Sequence, residues 1–84
     1  MMEWMEIKEL CRQALKLGMN DRKINDIRRQ IAEVYKRYLN SLPEERRNDS
    51  VVILGRKVIP REKIPEVLLT DDDFFILFIK VHGR

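Results

Sequence analysis

Residues Phe74-Phe75-Ile76-Leu77-Phe78-Ile79-Lys80-Val81 form an eight-residue run with a single polar side chain. Whatever backbone they adopt, most of these side chains must leave water. Aromatic and β-branched residues dominate the run and its length suits a strand, so the pattern predicts a β-strand. A helix is the alternative. Thr70 and Asp73 have a capping-box-like spacing, and Gly83 offers a stop.

In the strand, Phe74, Ile76 and Phe78 share one face, and Phe75, Leu77, Ile79 and Val81 share the other. Both faces are apolar. Leaving the first three in water forfeits about 1.5–3 kcal/mol for each side chain. Two helices cover one face of a small sheet, so the second needs another cover. A homodimer or a partner protein is the leading candidate, and the chain's own segments near Glu44 or over 64–69 are the alternative. Phe74, Ile76 and Phe78 are therefore the expected interface.

The amino-terminal part is strongly periodic. Trp4, Ile7, Leu10, Cys11, Ala14 and Leu17 recur at steps of three and four, one stripe of an amphipathic helix over Met2 to Leu17. Gly18 supplies the left-handed residue that closes such a helix. Asn20 is the expected cap of a second helix, with Met19 and Ile24 placed as a hydrophobic staple. That helix carries Ile24, Ile27, Ile31, Val34 and Tyr38, and one step off Tyr35, Leu39 and Leu42. The short connection implies an antiparallel hairpin, although the same seam would serve a coiled-coil dimer. Ser41 and Glu44 have capping-box spacing, which predicts a short helical turn over Leu42 to Arg47.

Beyond Asn48-Asp49-Ser50 the pattern changes. Val51 to Leu54 and Lys57 to Ile59 predict two strands joined through Gly55-Arg56 in a type II′ turn. Pro60 and Pro65 bracket an extended or irregular stretch, and Glu66 to Leu69 forms at most one helical turn. The expected fold class is α+β, an N-terminal antiparallel helical hairpin packed on a small C-terminal antiparallel β-sheet. It is a single domain over 1–84, with the hairpin in 1–42, a linker or short helical turn in 43–50, and a β-hairpin plus C-terminal strand in 51–84.

Charge adds a second line of inference. Seventeen Lys and Arg against fourteen Asp and Glu leave +3, and the excess lies with the helices. Arg22, Arg29 and Lys36, seven apart, line up on the outer side of the second helix. Arg46, Arg47, Arg56, Lys57, Arg61 and Lys63 form a second basic group on loops and turns. Together these nine are the candidate contacts to a nucleic-acid phosphate backbone. Asp26 and Glu33 stand where they can neutralise part of the helical row. A net charge of +3 is modest for a dedicated nucleic-acid binder, and neither zinc-finger spacing nor a recognition helix is evident.

Groups that carry chemistry are scarce. The chain has one His and one Cys. His82 is a poor base where helix ends fray, and Cys11 lies on the apolar stripe of the first helix. No catalytic residue, cofactor or small-molecule substrate is expected. Two potential N or S ligands cannot build a zinc site, and Asp71, Asp72 and Asp73 fit a solvated turn better than a cation site. Gly18, Gly55 and Gly83 are isolated, so no phosphate loop exists. No apolar stretch approaches the ~18 residues of a membrane span, and Glu3, Glu6 and Glu9 break up the amino end, which argues against a leader. A cytoplasmic location is the expectation. The sequence thus points to a small non-enzymatic interaction or regulatory module, homodimeric through its last apolar segment, with nucleic-acid association as the alternative.

Overall fold

The computed structural model describes residues 2–47, 50–54 and 57–84, with side-chain surroundings for 3–47 and 58–84. Helix α1 (Met2–Leu17) and helix α2 (Lys23–Ser41) pack side by side. They run antiparallel, since Trp4 at the start of α1 meets Tyr38 near the end of α2 with ring centroids 5.6 Å apart. The α1 stripe is buried at Ile7, Leu10, Cys11 and Ala14, with Trp4 and Leu17 at its margins. The α2 seam buries Ile24, Ile27, Ile31, Val34, Tyr35 and Leu39.

Gly18 closes α1 as its sequence position implies. Its φ is +78°, where a Cβ is strained, and its N–H donates to the Ala14 carbonyl at 3.1 Å. The start of α2 differs from expectation. The cap position is Arg22, not Asn20, and carries no side-chain cap; the Asp21 carboxylate just ahead of it accepts from the Lys23 N–H at 2.9 Å. The capping box at Ser41 does not form either. The Ser41 hydroxyl donates back to the Tyr38 carbonyl at 2.6 Å, and the short helix α3 (Glu44–Arg47) starts after Pro43.

Strands β1 (Ser50–Leu54) and β2 (Lys57–Pro60) pair antiparallel with each other, with Val52 opposite Ile59 and Ile53 opposite Val58. The turn expected at Gly55-Arg56 lies outside the described residues. Ile59 turns into the core while Val58 faces water. A 3₁₀ turn over Arg61–Lys63 leads into helix α4 (Ile64–Thr70). Pro65 occupies the first turn of α4, where its missing N–H costs nothing, so the stretch read as extended is helical.

The largest correction concerns the apolar run. Residues Asp72–His82 form helix α5, not a strand, and among the described residues the sheet expected to back the helical hairpin is reduced to the β1–β2 pair. The chain is mostly helical rather than α+β. Three local causes favour the helix. Asp71, in extended conformation, accepts the Phe74 N–H on its carboxylate at 3.1 Å; Asp72 and Asp73 lie in the first turn, where the helix dipole favours acids; and Lys80 lies in the last. A helix also satisfies its backbone internally, whereas a strand at 74–81 would need a neighbouring strand edge. Burial follows the helical period, with Phe74, Phe75, Phe78 and Ile79 inside.

Helix α4 lies against α2, α5 lies against α1, and α4 and α5 touch each other, so one core joins all four. Gly83 ends α5 where a side chain would not fit, because an added Cβ would come within 2.7 Å of Leu15 Cδ1 and 3.1 Å of the Cys11 carbonyl carbon. Among the described residues no helix is long and apolar enough to cross a membrane.

Candidate interaction surface

Helix α5 decides what the apolar run presents to solvent. Phe74 and Phe78, two of the three residues expected at an interface, are in the core of the chain itself. Phe78 is 1% exposed, and its ring meets those of Tyr35, Phe74 and His82 at 6.1, 6.1 and 4.5 Å. Ile76, half-buried, lies apart from both. The face that Phe74, Ile76 and Phe78 would share on a strand does not exist, because a 100° helical step replaces the 180° alternation. What α5 exposes is Leu77 at 42% and Val81 at 54%. They are four residues apart and therefore lie one above the other on the outer side of the helix. The sequence reading assigned them to the core-facing side.

The basic residues divide into two kinds. Arg29 is held by Asp26 at 2.8 Å and Lys36 by Glu33 at 3.4 Å, so two members of the helical row are neutralised on the surface of α2. Arg22 stands exposed at the first turn. Arg47 is committed to the fold: its Nε donates to the carbonyls of Leu39 and Leu42 at 3.1 and 3.2 Å, and its Nη2 to Asn40 at 3.3 Å, capping the free carbonyls that end α2. Arg46 and Lys63 are exposed, and Arg61 is half-buried. Arg56 and the side chain of Lys57 lie outside the described residues. Of the seven described candidates, Arg29 and Lys36 are thus answered by acids and Arg47 by backbone carbonyls, while Arg22, Arg46 and Lys63 stand exposed.

One cation that sequence inspection passed over is the most constrained of all. Arg28 is 8% exposed. Its guanidinium lies 4.7 Å over the Phe75 ring, donates through Nε to the Leu68 carbonyl, and donates through Nη1 to Asp72 at 2.7 Å. It therefore ties α2 to the end of α4 and the start of α5 in one side chain. Its position four residues after Ile24 and three before Ile31, inside the seam, is the signal that separates it from Arg29.

The groups with chemical potential are quiet. Burial pushes the Cys11 thiol up to about 12, so it stays protonated and a poor nucleophile. His82 sits between Trp4 and Phe78, and burial, with Lys8 adding to it, holds its imidazole below the ordinary value. Asp71 and Asp72 are engaged by Phe74 N–H and Arg28, and among the described residues no three His, Cys, Asp or Glu converge as metal ligands.

A second surface feature lies between α2 and α4. Leu39, Pro65 and Leu69 form the floor of an open groove of about 470 Å³, flanked by Glu62 and Glu66 on one side and Lys36 and Asn40 on the other. No family model, curated protein or solved structure matches the chain.

Proposed function

We propose that this chain is a small non-catalytic interaction module that self-associates through the outer face of α5. The observation that carries it is the Leu77–Val81 pair: two large apolar side chains, half exposed, on a helix whose other side builds the core. In an antiparallel pair of α5 helices, each would cover its counterpart on the second copy, the self-complementary geometry of a two-fold dimer. An 84-residue chain buries a limited core by itself, and shared burial adds to it.

The test is the solution mass by light scattering across concentration, for the natural chain and for the double variant Leu77→Lys with Val81→Lys. The expected result is a dimer that the variant reduces to monomer at unchanged helix content. Salt separates the alternative. An apolar interface holds or tightens as salt rises, whereas phosphate-backbone binding through Arg22, Arg46 and Lys63 weakens steeply.

A further inference from the structure

The groove between α2 and α4 carries a separate inference, which rests on the reading of the chain as an interaction module and names the chemistry of its partner. The chain as a whole is basic, at +3, yet the lining of this groove holds two carboxylates, Glu62 and Glu66, against one cation, Lys36. Glu62 and Glu66 stand four residues apart along one wall, and among the described residues neither carboxylate has an ion-pair partner. On the opposite wall Lys36 is already held by Glu33, so that side contributes no net charge. Between the walls the floor is apolar, and Leu69 stands 42% exposed at its edge.

The geometry points to a docking site for a short amphipathic helix of a partner protein, with leucine-like side chains on one stripe and lysine or arginine beside it. The apolar stripe seats on Leu39, Pro65 and Leu69, and the cations face Glu62 and Glu66. Glu62 in the 3₁₀ turn and Glu66 in the first turn of α4 face about one turn of a docked helix, which brings apolar anchors at positions i and i+4 over the floor. Free carboxylates beside an apolar floor select a basic segment over an acidic one, because like charges at a rim are repelled.

The test uses the full chain, isotope-labelled, titrated with a twelve-residue leucine–lysine helical peptide and with its leucine–glutamate counterpart while backbone amide shifts are followed. The expected result is saturable shifts at Leu39, Asn40, Glu66 and Leu69 for the lysine peptide alone. Glu62→Gln with Glu66→Gln, which keeps the shape of both side chains, should weaken binding about fivefold, as two rim charge pairs imply. Equal response to both peptides, insensitivity to the double variant, shifts located elsewhere, or no shifts at millimolar peptide would each overturn the groove. Light scattering on the same sample keeps the two readings apart. A dimer without groove shifts removes the groove alone, and a monomer with groove shifts removes the α5 dimer alone.

Discussion

Helices α2 and α5 both bury one side, but they finish their outer sides differently. On α2 the exposed positions are polar, and several of its charges are answered, Arg29 by Asp26 and Lys36 by Glu33, with Arg37 reaching across to Glu6 of α1 at 3.1 Å. Such pairs add little energy, yet they balance part of the charge on that face locally. On α5 the outer side carries Asp72 and Asp73 in the first turn, Leu77 in the middle, and Lys80 beside Val81 in the last turn. One helix answers much of its outer charge locally. The other leaves Leu77 and Val81 in water on its outer side, the feature on which the proposed self-association rests.

Neighbouring positions on α5 separate its two sides most sharply. Phe78→Ala empties a fully buried ring site and should cost about 3–5 kcal/mol in urea unfolding, whereas Leu77→Ala, measured on monomer, should change stability by about 0.5 kcal/mol or less. Equal costs would mean that the two sides of α5 are not distinct. The polar link between the two helices is made by Arg28. Arg28→Ala should cost about 2 kcal/mol, chiefly from the lost bond to the Leu68 carbonyl and lost packing on Phe75. Asp72 contributes little to that figure, since its side chain is 73% exposed and screened. Arg28→Met should cost less than Arg28→Ala, because it keeps the stem and removes Nη2, a buried donor with no protein partner.

A smaller effect is expected at the start of α5. Asp71→Ala removes the carboxylate that accepts from Phe74 and should destabilise by about 1 kcal/mol, read by thermal unfolding. The pH dependence is the mildest. Folding holds the His82 imidazole below its ordinary 6.5, so the neutral ring contributes stability that is fully present above pH 6.5 and is lost as pH falls through the folded value. A His82→Gln variant should flatten stability between pH 7 and 5. An unchanged slope in that range would show that His82 is not buried against Trp4 and Phe78.

The same contrast explains what the amino-acid sequence discloses. In α1 and α2, apolar and charged residues alternate with the helical period, so both the elements and their inner faces can be read directly, as can Gly18 as the stop. In α5 the period is hidden, because Ile76, Leu77 and Val81 are as apolar as Phe74 and Phe78, and composition then favours a strand. The decisive signal lay outside the run, in Asp71 to Asp73 ahead of it and Gly83 behind. Arg47 resembles a surface base, and only the free carbonyls at the end of α2 show why it turns inward. Arg28 is marked by its place inside the α2 seam, but its partner, the Leu68 carbonyl at the end of α4, is a tertiary fact. The groove beside Glu62 and Glu66 depends on α4 packing against α2, a tertiary fact that no local pattern carries.

The most direct test of the account is the solution mass of the natural chain beside the Leu77→Lys, Val81→Lys variant, from micromolar to millimolar protein. The account predicts a mass approaching twice 10.1 kDa for the natural chain and a monomer of equal helix content for the variant. A natural chain that stays monomeric at every concentration, or a variant that dimerises just as well, would contradict it.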